Sequence, residues 1–185
     1  REEGLKRLFG VSVCPTPAIR VYSDMNAMVI KYVIEAKTGL SLFDAIQTWI
    51  LSPAGMPETF AAVPKALRGR CVCYNYEHRI EGERQILRTS PPCGLPHDPK
   101  ALLLSDNGRD LCGHAGLFSS RKDMVRFAQA LLSGELIRRE TLCEIGVNRT
   151  GFSHGDGTYR QYLGYLCFAK HPLQRLSEVP HWMGA

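Results

Sequence analysis

The sequence lacks a long run of apolar residues, and its first residues, Arg1-Glu2-Glu3-Gly4, have no signal-peptide core. A membrane-spanning helix needs about 20 consecutive apolar residues, so we expect no membrane span in this chain. The bias typical of disordered proteins is also missing, because 44% of the residues are hydrophobic and 22% are charged. These values are typical of a globular domain with a core.

No concentrated patch of one charge is present. The net charge is +5 over 185 residues, and the basic residues are scattered, as at Arg68, Arg70, Arg138 and Arg139. Nucleic-acid-binding proteins usually gather their basic residues on one face or stripe. The sequence therefore predicts no nucleic-acid partner.

The seven cysteines form neither a disulfide framework nor a metal-binding pattern. Seven cannot all pair with one another. Cys71 and Cys73 are separated by one residue, whereas paired cysteines of structural zinc sites have two or more residues between them. We therefore predict no metal site and no cofactor.

Helical periodicity is clear near the start of the chain. Residues 24–38 repeat apolar positions at helical spacing, with Asp24 as N-cap and Gly39 as C-terminal stop. A second helix is predicted from Ser41, where Ser41 and Asp44 form a capping pattern. The buried face of that second helix is predicted to contain Ala45, Ile46, Trp49 and Ile50.

The rest of the chain is less regular. Residues 63–111 are predicted to be a long irregular surface excursion with short extended pieces. Helices are then predicted at 120–132, ending at Gly134, and at 139–145, and the segment 162–168 is typical of a buried strand. The apolar face of the helix at 120–132 is predicted to contain Met124, Val125, Phe127, Ala128, Leu131 and Leu132.

Tyr22 lies directly before the first predicted helix, within Tyr22-Ser23-Asp24. A helix N-terminus stabilises nearby negative charge, so a tyrosine there is suited to act as a general base during proton transfer. The alternative is purely structural, with a packed ring before a capped helix. Spacing alone does not separate the two interpretations.

Further motifs follow Tyr22-Ser23-Asp24 in a specific order. They are Ser52-Pro53-Ala54-Gly55-Met56, then His97-Asp98-Pro99-Lys100-Ala101, then Gly113-His114-Ala115-Gly116-Leu117-Phe118-Ser119. With these motifs, the chain from about residue 20 onward resembles the β-lactamase-related serine hydrolases. This family includes class C β-lactamases, low-molecular-mass penicillin-binding proteins and related esterases.

The resemblance implies an α+β fold. We expect the helix-rich middle portion of a serine β-lactamase/transpeptidase-like fold, with a helical subdomain and part of an antiparallel sheet flanked by helices, incomplete at both ends. Residues 1–185 would form one incomplete domain. Its helical part is 21–62, its irregular excursion is 63–112, and 113–185 holds helices and a sheet strand.

The resemblance also implies site residues and a substrate. Tyr22 and Asp24 are the expected catalytic residues, although many members have Asn at the position of Asp24. Asp24 is expected to order the lysine of the family's Ser-x-x-Lys motif and the substrate. Gly113, His114 and Asn26 are the expected substrate-binding residues, whereas His97-Asp98 is interpreted as a structural turn. The implied partner is a small molecule or a peptidoglycan-like peptide, and the implied location is the cell envelope.

Two family motifs are not found in their places. No Ser-x-x-Lys precedes Tyr22, and no Lys-Thr-Gly or His-Thr-Gly follows the last helices. Ser119-Ser120-Arg121-Lys122 and Lys37-Thr38-Gly39 match by letter but in reversed order, and both are expected at helix ends. Ser119 stays open as an alternative nucleophile. We expect the isolated chain to be inactive, and the competing hypothesis is a non-catalytic binding or scaffold module.

Overall fold

The protein is described by a computed structural model covering residues 2–12, 23–72, 77–81, 83–88, 93–105, 110–147, 149, 165 and 167. The chain divides into two compact units, Arg1–Met124 and Val125–Ala185. None of the helices in the described part of the chain is long and apolar enough to cross a membrane.

The first predicted helix is confirmed. After α1 (Glu2–Phe9), α2 runs from Met25 to Thr38 and ends at Gly39, which has a φ of 71° and donates its N–H to the carbonyl of Glu35. The predicted capping by Asp24 is wrong in one respect, because its side chain makes no capping hydrogen bond. The hydroxyl of Ser23 accepts from the Met25 N–H instead, since the Asp24 carboxylate binds a lysine elsewhere in the fold.

The second helix begins as predicted. Helix α3 (Leu42–Ile46) is capped by Ser41, whose hydroxyl accepts from the Asp44 N–H at 3.1 Å. It continues into a π-helical segment at Gln47–Leu51. The wider π turn changes which residues face inward, so Trp49 is 52% exposed and Leu51 is buried. The prediction that Trp49 is buried was therefore wrong.

The irregular excursion contains more regular structure than the sequence predicted. A 3₁₀ helix covers Lys65–Arg70, strands β2 (Glu77–Glu81) and β3 (Arg84–Arg88) form an antiparallel hairpin, and α4 covers Pro99–Leu104. At both ends of the hairpin an acidic residue opposes a basic one, Glu77 with Arg88 and Glu81 with Arg84.

A two-stranded antiparallel sheet connects distant parts of the chain. Strand β1 (Thr59–Phe60) pairs with β4 (Phe118–Ser119), with Thr59 opposite Ser119. Close to this sheet, the buried side chains of Leu42, Ala61 and Leu111 form a core cluster, against which Ile34, Phe43 and Ile46 pack. This core joins α2 and α3 to the segments that precede the Gly113-His114 turn.

The last two helices have nearly the predicted bounds, with α5 at Arg121–Ser133 and α6 at Arg139–Ile145. The predicted apolar face of α5 was wrong, because Met124, Val125 and Leu132 are each about half exposed. Asp123 is fully buried, and its carboxylate accepts hydrogen bonds from the Glu58 N–H and the Thr59 hydroxyl. Ala130, seven residues further along, lies on the same face of α5 and is also buried.

Most of the predicted strand at 162–168 lies outside the described residues. The described positions, Tyr165 and Cys167, are both in bends. Tyr165 is 60% exposed, with the Arg149 guanidinium 5.2 Å from its ring centre. At these two positions the prediction of a buried strand was wrong, because an exposed ring stacked by a cation is not covered on both faces.

Candidate functional site

The structure brings the start of α2 against the Gly113-His114 turn. Gly113 has a φ of 107°, and a Cβ at this position would lie 2.6 Å from the carbonyl oxygen of Ala27. Only glycine allows the two backbones to approach so closely. Two of the predicted site segments, 87 or more residues apart in sequence, therefore lie side by side.

Asp24 is bound by Lys100 from the first turn of α4. The same ammonium lies 4.0 Å from a carboxylate oxygen of Asp98. Lys100 is 54% exposed, whereas the side chains of Asp24 and Asp98 are 22% and 30% exposed. The start of α4 thus places one cation between two carboxylates at a position open to solvent.

His114 is fixed from both sides of its ring. Its Nε2 lies 3.1 Å from Oδ1 of Asp98, and its Nδ1 lies 3.2 Å from Sγ of Cys112. The Cys112 thiol also lies 3.1 Å from the carbonyl oxygen of Ala115, to which it donates. With its side chain only 8% exposed, His114 orients the turn and connects it to α4.

Asp98 is the centre of this group. It caps α4 by accepting from the Ala101 N–H at 2.8 Å. Burial alone would raise the pKa of its carboxyl, but the hydrogen bonds from Ala101 and His114 and the charges of His114 and Lys100 together lower that pKa. Asp98 is therefore set to stay ionised between two potential cations.

The arrangement also has the ligand types of a metal site. Single ligand atoms of Asp24, Asp98 and His114 all lie within 4.8 Å of one another. Lys100, however, is bound directly to Asp24, and its ammonium supplies the positive charge that these carboxylates need. We therefore interpret the group as a lysine-binding site in which the ammonium of Lys100 takes the place of a metal ion.

A buried ion cluster fixes the segment that leads into the turn. Lys31 on α2 is 1% exposed and bridges Glu35 and Asp110, with its Nζ 3.1 Å from the Asp110 carboxylate. Burial lowers the pKa of the ammonium, but the hydrogen bonds and charges of Glu35 and Asp110 outweigh burial and raise that pKa overall. Lys31 thereby connects α2 to the residues just before Leu111, Cys112 and Gly113.

The predicted site residues have different outcomes. Asp24, Gly113 and His114 are brought together, whereas Asn26 is exposed on α2 outside this group. Tyr22 lies outside the described residues. Sequence reasoning missed Lys100 and interpreted Asp98 only as part of a turn, although Asp98-Pro99 is a helix-start signal that would have placed both on one helical turn.

The alternative nucleophile is bound in structural contacts. The Ser119 hydroxyl lies 2.8 Å from that of Thr59, and the Ser120 hydroxyl accepts from the Asp123 N–H at 3.2 Å. Lys122 is exposed on the first turn of α5. These contacts confirm the predicted helix cap, since Ser120 caps α5.

Comparison with known proteins decides the family. Residues 10–182 match the family model described as "Beta-lactamase". The chain belongs to the β-lactamase family. The family resemblance and the α+β fold class expected from the sequence are therefore confirmed.

Two proteins of Salmonella are similar in sequence to this chain. Proteins of Salmonella paratyphi B and Salmonella newport, each named "Putative D-alanyl-D-alanine carboxypeptidase", are 32% identical to the chain over 119 residues. The match covers 62% of this chain and 27% of each relative. The matched part is thus about a quarter of the length of these relatives.

A solved structure shares the fold. The octameric penicillin-binding protein homologue from Pyrococcus abyssi superimposes with a TM-score of 0.55 at 16% identity. The alignment covers 89% of this chain and 34% of that one. At this identity the likeness concerns the fold alone.

Proposed function

We propose that the chain is part of a serine acyl-transfer hydrolase of the β-lactamase/penicillin-binding protein type, acting as a D-Ala-D-Ala carboxypeptidase, an amidase or an esterase. The observation that carries the proposal is the convergence of Asp24, Asp98, Lys100 and His114. These residues come from the family motifs and form one charged group beside the start of α2. The names of the Salmonella relatives favour a peptide substrate ending in D-alanine, as found in the cell envelope.

In this proposal Asp24 binds a lysine and does not contact the substrate carbonyl. An ionised carboxylate accepts hydrogen bonds but has none to donate, so it cannot replace the amide donor of an asparagine at this position. Asp24 binds Lys100, which is not the Ser-x-x-Lys lysine expected from the family motif, and this contact supports a lysine-binding role for Asp24. Asp24 follows Tyr22 by two residues in the sequence, and in this proposal the half-exposed positive charge of Lys100 favours ionisation of the tyrosine.

Gly113 and His114 are proposed to form the wall of the substrate site. His114 is bound on both ring nitrogens, so its role is to keep the Gly113-His114 turn in place beside α2. The backbone of this turn, together with Asn26 on the exposed side of α2, is proposed to contact the substrate. The nucleophilic serine and the carboxylate-binding strand are proposed to belong to other parts of the parent protein.

The first test is to sequence the source gene on both sides of this segment. We expect Ser-x-x-Lys upstream, and Lys-Thr-Gly or His-Thr-Gly downstream. An intact gene without the serine would overturn the proposal and identify a binding module with the family fold.

The second test assays the protein encoded by that gene for release of D-alanine from a peptide ending in D-Ala-D-Ala. We expect Tyr22→Phe to lower kcat by about 10²-fold or more, since a general base contributes at least that much. Lys100→Met is expected to lower kcat/KM by about tenfold, whereas Lys122→Met, at an exposed lysine of α5, leaves it unchanged. Equal effects of the two lysine variants would contradict the role of Lys100.

The isolated 185-residue chain gives a complementary test. It is expected to hydrolyse neither nitrocefin nor p-nitrophenyl esters, because the proposed nucleophile is not among its residues. Measurable hydrolysis that Tyr22→Phe abolishes would show that the chain contains its own nucleophile, and Ser119→Ala would then identify or exclude Ser119.

A further inference from the structure

A cavity of about 460 Å³ opens beside strand β4 and shares none of its described lining residues with the group around Asp24. It is lined by residues of 58–63, by the 3₁₀ helix and the two residues after it, and by residues 117–121 at β4 and the start of α5. Its volume is within the range of sites that bind small molecules, about 300–1,000 Å³. Leu117, Phe118 and Ser119 at the end of the Gly113–Ser119 motif line the cavity, but the proposed acyl transfer assigns no role to the space that it encloses.

One side of the cavity is apolar. Val63 is 4% exposed at this surface, and the aromatic rings beside it come from both strands of the small sheet. An apolar ligand group placed here would remove these side chains from water, which contributes about 25 cal/mol for each Å² of apolar surface. The apolar lining consists of Phe60, Val63, Leu67, Val72, Leu117 and Phe118.

The other side of the cavity carries an excess of positive charge. Arg70 and Arg121 both line it, against one carboxylate from Glu58. Arg70 and Glu58 form a salt bridge, with Nη1 and Oε1 3.7 Å apart, which is longer than a hydrogen bond. The guanidinium of Arg70 therefore keeps its hydrogen-bonding capacity toward an anion, because Glu58 does not form the bidentate pair that would occupy it.

The polar groups between the two sides are already bound within the protein. The Ser119 hydroxyl contacts Thr59, the Ser120 hydroxyl accepts from Asp123, and the Glu58 N–H donates to Asp123 at 2.7 Å. These contacts keep the cavity shape fixed before any ligand binds. Recognition of a ligand's polar end then depends on the two arginines.

We propose that this cavity binds a carboxylic acid with an apolar chain, its chain against the apolar side and its carboxylate between Arg70 and Arg121. The charge balance favours an anion over an amine or a neutral alcohol. The positive end of the α5 dipole, which begins at Arg121, adds to the same preference. The proposal is independent of the proposed acyl transfer, since the two sites have no described residue in common.

The test is isothermal titration calorimetry of the 185-residue chain with octanoate, and with octylamine as the probe of opposite charge. We expect octanoate to bind at concentrations below about 1 mM and octylamine to bind at least tenfold more weakly. Arg121→Gln should weaken octanoate binding about tenfold, the usual effect of losing a charged hydrogen bond. Lys122→Gln is the matched control, since it removes the same charge from the next residue, which does not line the cavity, and should change binding less than twofold.

A second readout locates the ligand. Cys71 lines the cavity and is half-buried, so bound octanoate should slow its alkylation by iodoacetamide, as followed by peptide mass spectrometry. The exposed Cys143 on α6 should react at an unchanged rate. The proposal is overturned if octanoate does not bind, if octylamine binds equally well, if the two variants behave alike, or if Cys71 is not protected.

Discussion

Two lysines of this protein each lie between two carboxylates, but in different environments. Lys31 lies between Glu35 and Asp110 and is 1% exposed. Lys100 lies between Asp24 and Asp98 and is 54% exposed. Each is a cation between two carboxylates, and both groups contact helix α2 or the residue that precedes it.

The difference in burial assigns the two groups different tasks. An ammonium out of contact with water depends wholly on its carboxylates, so its removal leaves two negative charges poorly compensated. A half-exposed ammonium retains water and contributes little to stability, but it is open to a substrate. Lys31 therefore belongs to the framework that places the Gly113-His114 turn, whereas Lys100 is the lysine to which the proposed function assigns a role.

The largest expected effect comes from removing each lysine in turn. Lys31→Met should lower the free energy of unfolding by about 3 kcal/mol, because Glu35 and Asp110 lose their shared cation. Lys100→Met, the matched control, should lower it by less than about 1 kcal/mol. Urea unfolding at pH 7 measures both values, and equal losses would contradict the comparison.

Lys31→Met should also change how the stability of the chain depends on alkaline pH. Since the pKa of Lys31 is raised above its ordinary value of 10.5, its contribution to stability is complete below that value and is lost as pH rises through the raised pKa. The wild-type chain should therefore lose stability above pH 10.5 more steeply than Lys31→Met. Parallel curves would mean that the ammonium does not stabilise the fold.

The next prediction concerns the close contact between Gly113 and Ala27, which the buried Lys31 group supports. Gly113→Ala should destabilise the chain by about 3 kcal/mol, because φ is unfavourable for alanine and its Cβ would clash with the Ala27 carbonyl. Gly39 also has a positive φ, but no atom lies within 4 Å of a Cβ placed there. Gly39→Ala should accordingly cost only about 1 kcal/mol, and thermal unfolding of both variants checks the difference.

A fifth carboxylate, that of Asp123, sharpens the comparison, because among the described residues its salt-bridge partners include no lysine. Asp123 is fully buried, with one oxygen bound to the Glu58 N–H and the Thr59 hydroxyl. Asp123→Ala should cost about 2 kcal/mol by leaving these donors unpaired. Thr59→Val removes one donor and should cost about half as much in denaturant unfolding. If Thr59→Val lowers the free energy of unfolding more than Asp123→Ala does, the Asp123 carboxylate is not the source of the stabilisation.

Local signals in the sequence predicted the helices well. Ser41 with Asp44, Gly39 and Gly134 each act within one helical turn, so the bounds of α2, α3, α5 and α6 followed from neighbouring residues. The buried faces were less predictable. Trp49 is exposed in a π turn and Met124 next to the buried Asp123, and both the turn and the burial of Asp123 depend on hydrogen bonds formed in the fold.

The candidate site was predicted only in part for the same reason. The motifs supplied Asp24, Gly113 and His114, but Lys100 was missed because its partner Asp24 is 76 residues away in sequence. Nothing local distinguishes Lys100 from an ordinary surface lysine. Only the fold, through the close contact between Gly113 and Ala27, brings α4 and the start of α2 together.

The smallest expected effect concerns the exposed group at acidic pH. Because the pKa of Asp98 is lowered from its ordinary value of 3.8, its contribution to stability is present above that value and is lost as pH falls through the lowered pKa. Asp98→Asn should remove this acid dependence and cost less than about 1 kcal/mol at pH 7, since asparagine still caps a helix. Unfolding measured between pH 7 and 3 checks this, with Asp44→Asn, another capping-region aspartate, as control. If the two variants have the same acid dependence, His114 and Lys100 do not stabilise the Asp98 carboxylate. The group around Lys100 would then differ from the group around Lys31 in the strength of its ionic contacts as well as in burial.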